Sequence, residues 1–381
     1  MSTSIQALSQ AFTIDRSGVE QPRSPDFAWA PRHAIVGMAK DENDTRSVCH
    51  LRHQVYVHEQ GIPVHGIDAA QGELVDPLDP CSGLWYAKND ATVVGTVTQT
   101  MIGPNFDLSR LPAELELDRF PRATNCILGY SSRFAIAPYN RSSWVLPSLV
   151  RYSYAHARSL ACKFGFMVTN PALVPLFERL GYLRYTETTY AHEKVGLLIP
   201  MVLPATDHEH LSEVRSACLP AAMHLAAEPE WGAWLRAKFP IIGVYYGSDR
   251  RHAAHGVALA RQIDLPVDVA VELSLMSFAH HFPAGTSLRR EGDRVMYSFF
   301  AVEGQIRVDR ACSDASSRCF APDGVEFSRA AIRCETDAVV LCIPDAAVLR
   351  LQRRYPEYIL ELHRLLKQNT TVGRAHEKIL R

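Results

Sequence analysis

The spacing of apolar residues predicts a helix that follows a first strand over 33–39. The apolar positions recur at intervals of three and four residues, as one buried helical face requires: Val48, Leu51, Val55 and Tyr56. Asp44 and Thr45 are suited to cap the N-terminus of this helix. We expect the helix to end near Gly61.

The next apolar runs alternate between strand and helix patterns. Two strands over 84–88 and 92–101 flank the polar turn Asn89-Asp90-Ala91, which favours a hairpin. The pattern then predicts a strand, a long helix, a short strand and a second helix, over 127–136, 144–162, 166–169 and 171–180. This order predicts an α/β (α+β) domain over 33–206 in which helices flank a mixed sheet.

Beyond residue 206 the pattern changes twice. Residues 207–275 have helical apolar spacing and are predicted to form a linker subdomain. Residues 276–381 contain short β-rich runs broken by glycines, which predict a small all-β barrel of the jelly-roll type with a C-terminal helix over about 345–367. Residues 1–32 are predicted to be a flexible arm.

Composition narrows the class of protein without selecting one. The 381 residues exceed what one core usually supports, which favours two domains. Because 40 basic side chains balance 41 acidic ones, no net field favours nucleic acid or an anionic membrane. No run of 18 apolar residues predicts a membrane span, and the nine cysteines lack the spacing of a metal site. We therefore expect a cytoplasmic protein with reduced thiols and no metal.

Five short motifs carry a resemblance to a known group of enzymes. In chain order they are Arg52-His53-Gln54-Val55-Tyr56, Val94-Gly95-Thr96, Phe120-Pro121, Ser132-Arg133-Phe134-Ala135-Ile136 and Phe177-Glu178-Arg179-Leu180-Gly181-Tyr182. Together they resemble the acyl-homoserine lactone (autoinducer) synthases and the N-acyl amino acid synthases, which are branches of the GNAT acyltransferase fold. The resemblance implies that an amine attacks an acyl thioester held between two splayed central strands.

The same resemblance implies roles for residues near the acceptor. Arg52 and Arg133 match two arginines of the synthases, and the neighbouring substrate-binding positions are Tyr56, Asp76, Ser132 and Phe134. Where the synthases have an acidic candidate base, this chain has Tyr130, which could orient the amine or protonate the leaving thiol. Glu59 and Asp76 are the replacement bases. Each of these side chains also has a purely structural interpretation, as a packed tyrosine, a helix-to-strand tie or a solvated loop charge.

The acyl donor is expected to bind near the start of the long helix. Arg141, Ser142 and Ser143 stand where acetyl-CoA enzymes of this fold have a glycine-rich turn, and Asn170 is a further donor-binding candidate. Without glycines the backbone approaches a pyrophosphate less closely. An acyl carrier protein, with its single phosphate, therefore fits better than coenzyme A, although acyl-CoA stays open.

The second half carries a weaker resemblance, to cyclic-nucleotide-binding domains. Residues 282–286, 290–293 and 299–308 match their first strands. The later ligand-binding segment is compressed here, with Glu326 and Arg329 as the nucleotide-binding candidates. We expect this domain to regulate the first, to dock a second copy of the chain, or to bind a divergent ligand.

Three functional interpretations remain open from the sequence. The first is an N-acyltransferase that moves a long-chain acyl group from an acyl carrier protein or acyl-CoA to the amine of an amino acid or similar small molecule. The second is an acetyl-CoA-dependent N-acetyltransferase, and the third is a non-enzymatic ligand sensor. Lactone formation is disfavoured because Ile62 stands where the lactone synthases have a tryptophan.

Overall fold

The structure is a computed structural model that describes most of the chain and divides into two compact units. The described residues are 34–62, 67–68, 72–141, 143–192, 195–246, 259–260, 265–293, 296–310, 318–320, 326–328, 330–358 and 360–362. The first unit comprises the described residues up to Met167 together with Leu180–Tyr182 and Val202–Leu235. The second comprises Val168–Arg179, Leu183–Met201 and the described residues from Arg236 onward.

A mixed sheet with flanking helices forms the first unit. The strands of this unit are β1 Ala34–Met38, β2 Ile67–Asp68, β3 Glu73–Leu74, β4 Ser82–Asn89, β5 Thr92–Ile102, β6 Ile127–Ile136 and β7 Cys162–Thr169. The sheet contains the order β1-β4-β5-β6-β7, antiparallel except for the parallel β6–β7 pair, and β2 and β3 form a separate antiparallel pair. The helices are α1 Glu42–Arg52, continued by a π-helix His53–Glu59, α2 Val145–Ser159, α4 His208–Glu213, α5 Leu219–Ala222 and α6 Pro229–Lys238.

Helices α1 and α2 pack against different residues of the same strands. In α1, Leu51 packs in a cluster with Val93 and Ala135, whereas in α2 Val145 and Leu149 pack with Trp85 and Val97. Gly95 lies under α2, where an added Cβ would come within 2.2 Å of Val145 Cγ1. The glycine of the Val94-Gly95-Thr96 motif therefore lets the helix approach the sheet closely.

Two irregularities meet in β6. Thr96 pairs with Ala135 and Thr98 with Ser132, so Arg133 and Phe134 together face Val97 in a β-bulge. Arg133 has a φ of 52°, in the left-handed region that non-glycine residues rarely occupy. The ladder between β6 and β7 ends three residues before Arg133, at the pair Tyr130 and Phe166. The last part of β6 thus has no ladder partner in β7.

The second unit contains short helices and small antiparallel sheets. Its strands are β8 Leu183–Arg184, β9 Tyr190–His192, β10 Gly196–Pro204, β11 Phe278–Phe282, β12 Ser287–Arg289, β13 Tyr297–Glu303, β14 Ile306–Arg310, β15 Arg318–Phe320, β16 Glu326–Ser328, β17 Ala330–Cys334 and β18 Ala338–Pro344. They include the sheets β11-β18-β13 and β12-β17-β14 and the pairs β9–β10 and β15–β16. The helices are α3 Val174–Arg179, α7 Ile241–Tyr246, α8 Val267–Leu275 and α9 Asp345–Arg354.

Within the described residues the predicted elements are confirmed in kind, with corrections to their bounds. The long helix ends at Ser159, and β7 begins at Cys162 rather than Phe166, because Ala161 adopts a left-handed conformation that ends the helix early. The predicted C-terminal helix is interrupted near Pro356. Its first segment ends at Arg354, Pro356–Tyr358 form a 3₁₀ turn, and residues 360–362 are helical again, whereas 363–367 lie outside the described residues. The antiparallel content of the second unit is confirmed, and Gly304 has the positive φ expected of a hairpin turn. Closure into a barrel or jelly roll stays a prediction.

The predicted domain boundaries also stay predictions. Residues 202–235 cluster with the first unit, whereas the rest of the predicted linker clusters with the second. The predicted arm over 1–32 lies outside the described residues.

Candidate active site

A buried arginine links α1 to the sheet and to the loop after β3. Arg52 is 0% exposed. Its Nη1 donates to Asp79 Oδ2 at 2.7 Å, and its Nη2 donates to Thr98 Oγ1 at 2.5 Å. A guanidinium this deeply buried requires an anionic partner, because removing a charge from water is costly. Asp79 provides that partner.

The same loop holds the second arginine. The Asp76 N–H donates to Asp79 Oδ2 at 2.8 Å, and Asp76 Oδ1 accepts from the Leu78 N–H at 2.9 Å. Arg133 Nε donates to Asp76 Oδ2 at 2.5 Å. Burial alone would lower the pKa of Arg133, but the neighbouring Asp76 carboxylate outweighs it and raises that pKa. Arg133 is therefore a fixed positive charge.

The bulge turns the Arg133 side chain toward α1 and leaves part of it accessible. Its guanidinium carbon lies 5.8 Å from the centre of the Tyr56 ring, and Tyr56 donates its hydroxyl to the Phe134 carbonyl at 2.7 Å. Burial raises the pKa of Tyr56, so its hydroxyl is a donor at neutral pH. Among the described residues no partner meets the two Nη groups of Arg133, whose side chain is 29% exposed. These groups can receive a carboxylate in the two-pronged geometry typical of arginine.

Two further predicted residues lie on β6 beside the bulge. Tyr130 is buried and pairs in register with Thr100 and Phe166. Ser132 pairs in register with Thr98. Its Oγ is buried without a hydrogen-bond partner among the described residues, so it is available to a ligand.

A cavity of about 30 Å³ lies beneath α2, wholly within the first unit. Its apolar lining comes from both α2 and the sheet, and its polar lining includes Gln99, Ser131, Ser153, Tyr154 and Tyr182. A hydrogen bond from Ser131 meets the Tyr182 oxygen, and burial raises the pKa of Tyr182, which stays a neutral phenol. Phe134 also lines the cavity. The two residues of the bulge therefore have different surroundings. Arg133 belongs to the charged network, and Phe134 lines the cavity.

Two residues that were predicted to have different roles form an ion pair with each other. Glu59, a predicted base, accepts from Arg141, a predicted donor-binding residue, through both oxygens, at 2.6 and 2.5 Å. Both side chains are partly exposed. Because each side chain already engages the other, Glu59 is less available to an amine and Arg141 is less available to a phosphate. Both assignments stay predictions.

The other predicted residues are dispersed. Ser143 Oγ accepts weakly, at 3.4 Å, from the Val145 N–H at the start of α2, and Ser142 lies outside the described residues. Asn170 belongs to the second unit, where its Oδ1 accepts from the Ala172 N–H and caps a short helix. Glu326 lies in β16 but its side chain is not described, and Arg329 lies outside the described residues.

The sequence interpretation missed two residues that matter to this geometry. Asp79 is not among the site residues predicted from the sequence, yet it partners Arg52, and its spacing of three from Asp76 was the available signal. Gln99 had not been noted at all. Its signal was a carboxamide inside the otherwise strand-forming run 92–102, a position where a buried polar group needs a reason.

Comparison with protein families supports one of the two resemblances. Residues 47–207 match the model of the family described as N-acyl amino acid synthase FeeM. The acyltransferase part of the predicted resemblance is thereby supported for that stretch. The resemblance to cyclic-nucleotide-binding domains stays a prediction, and no curated protein sequence matches the chain.

Solved structures similar to this chain cover about half of it. FeeM, an N-acyl amino acid synthase from uncultured soil microbes, is 16% identical over 47% of this chain and 97% of its own, with a TM-score of 0.39. The acyl-homoserine lactone synthase LasI is 17% identical over 47% of this chain and 94% of its own, with a TM-score of 0.39. ElaA of Escherichia coli is 14% identical over 45% of this chain and 97% of its own, with a TM-score of 0.32.

Two searches of the described residues gave negative results. Within that part of the chain, no group of three or more His, Cys, Asp or Glu side chains is placed to hold a metal ion. None of the helices described there has the length and apolarity needed to cross a bilayer.

Proposed function

We propose that the first unit is an N-acyltransferase of the GNAT type that moves an acyl group from a thioester to the amine of an amino acid or a similar small carboxylate. The observation that carries this proposal is the bulge at Arg133 and Phe134. It joins a partly exposed, carboxylate-binding guanidinium to an internal cavity at the point where β6 has lost its β7 partner. The family match over 47–207 supports the same class of reaction.

The acceptor binds on the α1 side of the sheet. Its carboxylate meets the Nη groups of Arg133, whose Nε is held by Asp76. Ser132 Oγ and Tyr130 lie one and three residues earlier on the same strand. In this arrangement Ser132 and Tyr130 orient the amine, and Arg52 with Asp79 keeps the loop that carries Asp76 in place. Arg52 and Asp79 are positioning residues.

The thioester lies along the open edge of β6. Beyond Tyr130 the backbone N–H and C=O groups on the β7 side have no ladder partner, so one N–H can donate to the thioester carbonyl and stabilise the charge that develops there. The amine nitrogen forms a bond to the carbonyl carbon, the carbon–sulfur bond breaks, and the amine's proton ends on the released thiol. Tyr130 is placed to assist this proton transfer.

The donor is an acyl carrier protein or acyl-CoA, bound near the start of α2. Arg141, Ser142 and Ser143 lead into that helix, whose N-terminus favours a phosphate. Because Glu59 engages Arg141, donor binding through Arg141 requires this pair to open. Arg141→Ala is then expected to raise the KM for the thioester and to leave the KM for the amine unchanged.

The decisive experiment is mass spectrometry of lipid extracts from a bacterium that expresses the full chain. New N-acyl amino acids are expected with the unaltered chain, and their amount is expected to fall about 100-fold with Arg133→Ala, because the acceptor loses its carboxylate partner. Arg46→Ala is the matched control, since Arg46 is a half-exposed arginine of the same unit whose partners are Glu42 and Glu73. Identical extracts from cells with and without the chain would overturn the proposal.

The size of the cavity favours one alternative donor. A cavity of about 30 Å³ holds one or two water-sized groups, so a long acyl chain must displace side chains of α2. An acetyl-CoA-dependent N-acetyltransferase needs no such displacement. Release of free thiol by the purified chain from acetyl, butyryl and palmitoyl thioesters separates the two, and the long-chain expectation fails if only the acetyl donor reacts.

The second unit is proposed to regulate the first. This proposal rests on the resemblance of 282–308 to cyclic-nucleotide-binding domains and on the small antiparallel sheets. Calorimetric titration with cyclic AMP and cyclic GMP tests its nucleotide form.

A further inference from the structure

The polar side chains around the cavity are satisfied with one exception. Tyr154 donates its hydroxyl to the Ala205 carbonyl at 2.6 Å, Ser153 donates to the Val150 carbonyl at 3.2 Å, and Ser131 pairs with Tyr182. Gln99 is 6% exposed and donates Nε2 to the Ser153 carbonyl at 3.0 Å. Its Oε1 is buried and has no partner among the described residues.

The orientation of the Gln99 amide is fixed by its neighbour. A carbonyl can only accept, so the Ser153 carbonyl selects the NH₂ group and leaves Oε1 as the unsatisfied atom. A buried acceptor without a donor destabilises the empty cavity, because it has lost its hydrogen bond to water. A ligand that brings a donor into the cavity removes that cost, whereas a purely apolar ligand leaves it in place.

The place of Gln99 in the sheet relates it to the reaction centre. Gln99 pairs in register with Ser131, two residues before Arg133. At about 3.3 Å per residue this is a short distance along β6 from the bulge. A group that reaches Gln99 from a thioester held at the bulge therefore sits near the carboxyl end of the acyl chain and not at its tip.

We propose that Gln99 selects acyl groups that carry a hydroxyl near the thioester, and that the chain prefers hydroxyacyl donors to unsubstituted ones. The hydroxyl donates to Gln99 Oε1 and occupies a cavity large enough for one such group. This inference rests on the proposed function, because it assigns the cavity to the acyl chain. A water molecule in the same position would satisfy Oε1 equally and would create no preference.

The test uses the purified full chain with butyryl-CoA and 3-hydroxybutyryl-CoA. Product is measured with both donors in competition, and equilibrium binding of each thioester is measured without acceptor. The hydroxylated donor is expected to be favoured about tenfold in both measurements. Gln99→Met, which keeps the length of the side chain and removes the acceptor, is expected to bring both ratios close to one.

The outcomes separate this inference from the transferase proposal. Equal use and equal binding of the two thioesters by the unaltered chain would overturn the inference and leave the transferase intact. A binding preference that Gln99→Met abolishes, without product from either donor, would support the inference and overturn the transferase. A preference that survives in Gln99→Met and in a second variant, Gln99→Leu, would also overturn the role of Gln99, provided that both variants melt as the unaltered chain does.

Discussion

At the scale of single residues, the two arginines of the candidate site differ in burial and therefore in what their substitution would test. Arg52 is fully buried with one carboxylate, whereas Arg133 is partly exposed and keeps two donor groups for a ligand. Loss of Arg52 is expected to destabilise the fold, because it leaves the Asp79 carboxylate buried without a counter-charge. Only Arg133 is suited to test acceptor binding by mutation.

This difference predicts a strong coupling between Arg52 and Asp79. Arg52→Met is expected to lower the free energy of unfolding by about 3–5 kcal/mol. The double variant Arg52→Met with Asp79→Leu is expected to lose much less than the single variants Arg52→Met and Asp79→Leu added together, since no unpaired charge remains. Urea unfolding of the two single variants and the double variant measures this coupling.

The exposed Arg46 provides the control for that cycle. Arg46→Ala is expected to change the free energy of unfolding by less than about 1 kcal/mol, as is usual for surface pairs. Additive losses at Arg52 and Asp79 would contradict the buried pair.

At the scale of elements, the contact between α2 and β5 depends on one missing side chain. A Cβ at Gly95 would lie 2.2 Å from Val145 Cγ1 and 3.0 Å from Leu149 Cδ1. Gly95→Ala is expected to cost about 1–3 kcal/mol through overpacking. Thermal or urea unfolding measures this loss.

Two variants sharpen the interpretation of Gly95→Ala. Gly103→Ala, just beyond the same strand, meets nothing closer than 3.9 Å and is expected to be nearly neutral. Val145→Ala added to Gly95→Ala is expected to recover part of the loss. If the two glycine variants were equally destabilising, backbone conformation and not helix packing would explain the effect.

The elements also show what periodicity can and cannot predict. The strand over 127–136 was predicted with the bounds that the structure has, because its apolar pattern is local. The bulge in that strand was not predictable, since it depends on how β5 pairs with it. The pair of Glu59 with Arg141 joins residues 82 positions apart and gives no local signal either. The sequence motifs thus suggested candidate residues, whereas the contacts between those residues required the fold.

At the scale of the whole molecule, the first unit extends well past the sheet that the sequence predicted. Glu228 accepts from Lys163 Nζ at 2.5 Å and lies 3.6 Å from Arg158 Nη2, and its backbone bonds to Thr206. These contacts hold the helices that follow β10 against β7 and α2. The predicted domain end at residue 206 rests on a change in the apolar pattern and stays a prediction.

The Glu228 contacts predict a pH dependence of stability. Burial would raise the pKa of Glu228, but Lys163 and Arg158 outweigh it and lower that pKa below its usual value. A carboxyl group with a lowered pKa in the folded state stabilises the protein above its unfolded pKa, and this contribution is lost as the pH falls through the folded value. Glu228→Gln is therefore expected to be less stable than the unaltered chain at pH 7 and equally stable well below pH 4.5.

Urea unfolding at a series of pH values checks this expectation. Glu230→Gln is the control, because Glu230 is exposed in the following helix. A loss in Glu228→Gln that did not change with pH would show that the group acts by packing and not by charge.

The bulge in β6 has a consequence for how such a chain can change its chemistry. Arg133 and Phe134 are adjacent in the chain but contact different groups. Arg133 contacts Asp76 and Tyr56, whereas Phe134 lines the cavity under α2. Under the proposed function, substitutions around Asp76 alter which amine is accepted, and substitutions around Gln99 alter which acyl group is transferred, with few side chains shared between them. The two halves of the product could then be diversified separately, by evolution or in the laboratory, on one unchanged strand.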